Sequence, residues 1–105
     1  MSERDVLAGV LIAVTALPGV MAWRSNTGAA VNAWGRKVQF GLPGTPDILG
    51  CVRGTFVGIE VKSATGRQTL EQVRFQAQFE ASGGLYILAR SVDDAINGLA
   101  SVLSA

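Results

Sequence analysis

Apolar positions near the N-terminus fall at intervals of three and four residues: Val6, Leu7, Val10, Leu11, Val14 and Leu17. That period gathers them on one side of an α-helix. Ser2 stands at the N-cap with Asp5 three residues on, and Pro18-Gly19 ends the segment. The period then changes to two. In Val20 to Asn26, Met21 and Trp23 fall on one face of an expected strand, and Ala22, Arg24 and Asn26 on the other. Thr27 to Gly35 is small and irregular and predicts a loop, followed by a short edge strand at Arg36 to Phe40. Two further apolar runs, one opening at Ile48-Leu49 and one from Phe56 to Lys62, flank Arg53-Gly54-Thr55 and read as a hairpin. Thr69 and Gln72 form a capping box, T-x-x-Q, and predict a helix from there to Ser82. Leu70, Val73, Ala77 and Ala81 make one stripe of that helix, and Phe75 and Phe79 an adjacent one. Gly83-Gly84 stops it. Leu85 to Ala89 is an uninterrupted apolar run, the pattern of a strand buried on both faces. Ser91 then caps a last helix, with Val92, Ile96, Leu99, Val102 and Leu103 turned inward.

The segment from the Phe56 strand through the Thr69 helix to the Leu85 strand is a β-α-β unit, whose strands should be parallel and its crossover right-handed. The whole predicts an α/β fold, a mixed central sheet flanked by helices. The chain's 105 residues fit one domain, 1–105, and 49% of them are hydrophobic, enough for a core. The run Val6 to Leu17 is too short for a membrane span, and Glu3 and Asp5 do not suit the basic start of a signal peptide. The expectation is therefore a cytoplasmic protein with no membrane partner. The single cysteine, Cys51, allows no internal disulfide and reads as a small buried hydrophobe. With no histidine, a Ser-His-Asp triad is excluded, and so is the commonest zinc ligand. A net charge of +1 announces no nucleic-acid binder, so such a role has to rest on local basic clusters.

The candidate chemistry lies between Gly41 and Gly66. Asp47 follows Pro46 at the mouth of the first hairpin run; Glu60 and Lys62 sit two apart in the second. Alternation sends Val57, Ile59 and Val61 to one face and Gly58, Glu60 and Lys62 to the other. Two carboxylates and an ammonium on one side of a ribbon suit a hard divalent cation with a lysine beside it. Gly58 would leave room next to Glu60 for a ligand. An E-x-K pair is also what the solvated face of an ordinary strand looks like, and both readings stand at this point. Arg24, Arg36, Lys37 and Arg53 are candidate phosphate contacts, or scattered surface cations. Trp34 reads as cover for the core rim, with a base-stacking platform as the alternative. Glu3, Arg4 and Asp5 suit either helix capping or a functional role.

These motifs, in their order, resemble the PD-(D/E)XK nuclease superfamily, and within it the virus-type replication-repair nuclease (VRR-NUC) domain in the stand-alone form found in phages. The matching residues are Glu3 in the first helix, Arg24-Ser25-Asn26-Thr27-Gly28, and the loop Gly41-Leu42-Pro43-Gly44-Thr45-Pro46-Asp47. They continue with Glu60-Val61-Lys62, thirteen positions after Asp47, and Gly66-Arg67-Gln68-Thr69-Leu70-Glu71-Gln72. The resemblance implies a restriction-endonuclease-like αβββαβα core and a Mg²⁺- or Mn²⁺-dependent DNA endonuclease. It further implies selectivity for branched DNA such as four-way junctions, action as a homodimer, and residence in a bacterial or phage-infected cytoplasm. Asp47 and Glu60 would be metal ligands, with the Val61 carbonyl a third and Glu3 a further, water-mediated contact. Lys62 would activate the attacking water or stabilise the phosphate, and Gln72 would orient Lys62 or that water. Arg24, Asn26, Arg36, Lys37, Arg53 and Arg67 would line the DNA path. The alternative is a non-catalytic DNA-binding or assembly module on the same fold.

Overall fold

The computed structural model describes residues 2–25 and 28–104, and excludes the side chains of residues 28, 29, 39 and 40. Helix α1 (Glu3–Thr15) opens where the Ser2 hydroxyl accepts from the Asp5 amide, and it buries Val6, Val10 and Val14. Strand β1 (Val20–Arg24) runs back along it. Strands β4 (Ile48–Val52) and β5 (Thr55–Val61) form the expected hairpin, turning at Arg53-Gly54 with φ of 49° and 87°. Helix α2 (Leu70–Ala81) begins at the capping box, with both reciprocal bonds present between Thr69 and Gln72. Strand β6 (Leu85–Ala89) and helix α3 (Val92–Leu103) complete the body.

The central sheet is four-stranded and mixed, in the order β1-β4-β5-β6. β1 and β5 each pair antiparallel with β4, and β6 lies parallel to β5, as the β-α-β reading requires. α1 and α3 pack on each other and on one face of the sheet. There Ile48, Val52, Val57, Ile59, Val61, Ile87 and Ala89 meet Val6, Val10, Val14, Ala95 and Leu99, forming the hydrophobic core.

The opposite face is only partly covered. α2 lies over β6 and reaches β5 through Phe79, which stacks on Phe75 and tilts against Phe56 at 5.4 Å between ring centres. None of its residues is fully buried. The stripe Leu70, Val73, Ala77, Ala81 faces solvent, and the neighbouring Phe75/Phe79 stripe is the one that packs. Among the described residues α2 makes no extended contact with β1 or β4 on this face. Cys51 is consequently exposed rather than buried, alongside Met21, Trp23 and Phe56.

The short strand expected at Arg36 to Phe40 is present, but part of the segment read as an irregular loop is its partner, and the two form a separate two-stranded sheet. β2 (Gly28–Val31) pairs antiparallel with β3 (Lys37–Phe40), with Gly28 opposite Phe40 and Val31 opposite Lys37. The side-chain carbonyl of Asn32 shapes the turn by accepting from the amides of Trp34 and Arg36, and Gly35 supplies the positive φ of 74°. Trp34 sits at this tip, 84% exposed, and covers no core rim. Among the described residues the two strands pack on each other and make no extended contact with the body, so they form an arm.

Candidate functional site

The end of the sheet where β4 begins and β5 finishes collects the polar residues. Ile48 pairs with Ile59, so the register continued by one residue sets Asp47 opposite Glu60, with both on the α2 face. Asp47 is held from behind: its Oδ2 accepts from the Val61 amide at 2.8 Å, and its carbonyl accepts from the Ser25 amide. Gly58 makes this approach possible. A Cβ there would lie 2.8 Å from Pro46 Cγ and 3.6 Å from the Phe79 ring, so the room beside Glu60 belongs to Pro46 and α2, not to a ligand. Gly44, at φ 81°, lets the same loop lie directly on the Glu71 backbone at the start of α2.

Glu60 is 2% exposed, which overturns the reading of E-x-K as a solvated strand face. Its Oε2 accepts from Gln72 Nε2 at 3.0 Å and lies 3.6 Å from Lys62 Nζ; its buried Oε1 has no hydrogen-bond partner. Burial pushes the Glu60 carboxyl up to about 7, the negative charge of Asp47 adds to this, and Lys62 opposes it. Gln72 therefore orients Glu60 rather than Lys62. Its own Oε1 accepts from the Thr69 amide at 2.8 Å, so one side chain caps α2 and steers the carboxylate. Lys62 is 12% exposed.

Two facing carboxylates, one with a buried oxygen left unpaired, form an all-oxygen donor pair that fits a hard divalent cation. Among the described residues no three Asp, Glu or Cys side chains gather into a single ligand set. Glu3 is not gathered with the pair into one direct ligand set. It lines, with Arg4, Arg24 and Asp47, an open cleft of about 410 Å³ between α1 and the sheet.

Of the expected phosphate contacts, Arg24 lies in that cleft, and Arg67 is exposed on the loop between β5 and α2, at the same end of the sheet. Arg36 and Lys37 are exposed on the arm. Arg53 lies beside Gly19 at the far end of β4, a strand length of roughly 20 Å from Asp47 at ~3.3 Å per residue, and is not brought to the site. Asn26 lies outside the described residues.

Arg90 is the residue the pattern did not reveal. Its Nη1 donates to the carbonyls of Ser63 at 2.6 Å and Gly66 at 2.7 Å, tying the β5–α2 loop to the end of β6. Gln68, at the end of that loop, donates to Gln76 and to the Tyr86 hydroxyl. Burial pushes that phenol up to about 12, with the Gln68 bond acting the other way. An arginine after a strand carries no signal of this in sequence, because its acceptors are backbone carbonyls distant along the chain.

Comparison of the chain with protein-family models and with curated proteins finds no match. Among the described residues no helix is long and apolar enough to cross a membrane. Fold and site thus define a mixed α/β protein in which a buried Glu60 faces a half-buried Asp47, with Lys62 adjoining, at one end of its sheet.

Proposed function

We propose that the protein is a divalent-metal-dependent nuclease that hydrolyses phosphodiester bonds in DNA, on a restriction-endonuclease-like core of the VRR-NUC type. The observation that carries the reading is the Asp47–Glu60 pair, with Glu60 buried, one of its oxygens unpaired, and Lys62 beside it. Asp47 and Glu60 would hold Mg²⁺ or Mn²⁺. Such a cation supplies charge neutralisation at a phosphate and acidifies water at neutral pH. The chain's own groups prepare this. Gln72 fixes the direction of the Glu60 carboxylate, and the Val61 amide that of Asp47. Lys62, held by Glu60 at the rim, is placed to offset negative charge developing on a phosphate. Arg24 and Arg67 offer cations to flanking phosphates on the same end of the molecule. Incision of both strands of a branched substrate would use two copies of this single site.

The test is incubation of labelled single-stranded, duplex, flap and four-way-junction DNA with the protein in Mg²⁺ or Mn²⁺. Cleavage that is lost in Asp47→Ala and Glu60→Ala is expected, with the branched substrates preferred. Calorimetric titration of Mg²⁺ should show binding that disappears in Glu60→Ala. No cleavage of any substrate, together with identical titrations of the two proteins, would refute the reading.

A further inference from the structure

Beyond Lys62, the β5–α2 loop and the end of β6 border an open cleft of about 520 Å³. Ala64, Thr65, Gly66, Arg67, Leu88 and Arg90 are among its walls. Leu88 lies opposite Glu60 in the parallel register of β5 and β6, so the cleft starts one strand spacing, about 4.8 Å, from Glu60. Gly66 joins cleft and carboxylate site. A Cβ there would lie 3.5 Å from Lys62 Cδ, so the loop backbone runs along the lysine stem. The cleft carries one sign of charge: among the described residues two guanidinium groups line it and no carboxylate does. Arg90 spends Nη1 on the carbonyls of Ser63 and Gly66. Its Nη2 and Nε have no partner among the described residues, and Asp94 accepts from its backbone amide rather than its side chain. A half-buried cation without a counter-charge is unfavourable, and an anion in the cleft would offset that.

We propose that this cleft holds the phosphodiester backbone of the substrate strand just beyond the scissile phosphate, with Arg90 joining Arg67 as a phosphate contact. The identity of that strand rests on the nuclease reading. Three observations select it. First, the sheet order places the groups in a row: Arg24 on β1, Asp47 before β4, Glu60 and Lys62 on β5, and Arg90 after β6. The carboxylates are thus flanked by cations on both sides. Successive phosphates of one DNA strand advance by about 3.4 Å, so a strand with one phosphate at the carboxylates brings its next ones over the cleft. Second, the donors suit the ligand. A planar guanidinium matches two phosphate oxygens at once, which a lysine cannot do. Third, Arg90 is already fixed. The two loop carbonyls hold its guanidinium, so little side-chain freedom remains to be lost on binding. One side chain therefore both clamps the β5–α2 loop and reads the strand, and an occupied cleft should tighten that loop.

The experiment is an NMR titration of the full chain with a short oligothymidylate in a chelator, following the arginine Nε–Hε signals. Those of Arg67 and Arg90 should move together along one saturation curve, and that of Arg53 should stay in place. Hydrogen exchange at the Gly66 amide should slow as the oligonucleotide is added. Arg67→Ala, at an exposed position, and Arg90→Lys should each weaken binding by about tenfold, the worth of one charge-assisted contact. Inorganic phosphate should bind far more weakly than the oligonucleotide. Arginine signals that do not move, or parental affinity in either variant, would overturn the proposal. An Arg90→Lys protein that melts earlier but binds as its parent does would leave Arg90 a loop clamp only. Inorganic phosphate that binds as tightly as the oligonucleotide would make the cleft a site for a free anion instead. Every arm runs without metal or cleavage, so the cleft can fail while the metal site stands. A protein that binds here but cuts no DNA would lose the nuclease reading and keep a strand-binding cleft.

Discussion

Glu60 is the residue where folding and chemistry pull in opposite directions. A free glutamate titrates near 4.5, whereas burial and the facing Asp47 hold this one up at about 7. The folded protein therefore keeps a proton that the unfolded chain has released. The stability this contributes is full below about pH 4.5, declines as pH rises, and is lost above about 7. Urea denaturation in a chelator from pH 5 to 8 should show stability falling with pH, and Glu60→Gln should flatten that slope and be the more stable protein at pH 8. Added Mg²⁺ should restore the parent's stability at pH 8 and leave the variant untouched. An equal slope in both proteins would show that Glu60 is not the titrating group. Lys62→Ala tests the neighbouring position. It should slow single-turnover cleavage by about 10²-fold or more, ~2.7 kcal/mol of transition-state stabilisation, with a smaller loss of DNA binding measured in Ca²⁺. Lys62 is largely covered and beside Glu60, so this variant should also lose stability above pH 7, where the carboxylate is left without its cation. Unaltered cleavage by Lys62→Ala would remove lysine from the chemistry.

Among the elements, the loop between β5 and α2 depends on Arg90. Two charge-assisted bonds to Ser63 and Gly66 carbonyls are worth roughly 1.5–3 kcal/mol each, less what water regains, so Arg90→Ala should destabilise the protein by a few kcal/mol. Arg90→Lys, which keeps the charge but loses the planar guanidinium and the reach of Nη1, should recover only part. Hydrogen exchange should locate the change at the Gly66 amide and its neighbours; an effect spread evenly over the chain would count against a local clamp. This contact belongs to the part of the molecule that sequence patterns do not display. Periodicity and caps were enough for α1, the β4–β5 hairpin, α2, β6 and α3, because each is decided by residues within a few positions of one another. The sharing of one face by Asp47, Glu60 and Lys62 was legible for the same reason. Exposure was not. Cys51 and Trp34 read as covered because apolar residues usually are, but their burial depends on whether another element lies above them, and among the described residues none does. β2 escaped notice because Gly28-Ala29-Ala30 lacks the branched side chains that mark strands. The Asn32-to-Gly35 turn was the available sign.

For the whole molecule, the expected phosphate contacts divide into three sets: Arg24 and Arg67 at the carboxylate end, Arg36 and Lys37 on the arm, and Arg53 at the opposite end. If DNA crosses the carboxylate end, the salt dependence of binding should have a log–log slope of roughly −0.9 per neutralised phosphate. The double variant Arg24→Ala, Arg67→Ala should reduce that slope by about two such units, and Arg53→Ala should leave it alone. A slope sensitive to Arg53 instead would move the path to the other end of the sheet.

The arm also separates two neighbours. Arg24 at the end of β1 lies beside Ile48 at the start of β4, yet the chain travels through residues 25–47 between them. Topologically β1 and β4 are a hairpin with a long insert, and the insert raises the sequence separation of the contact that closes the antiparallel half of the sheet. Shortening a connection by half recovers only about 0.6 kcal/mol of closure entropy at equilibrium, but it lowers the contact order on which folding rates depend. A chain in which two glycines replace residues 28–40 should therefore refold faster than its parent, melt within a few degrees of it as a monomer, and retain the carboxylate pair.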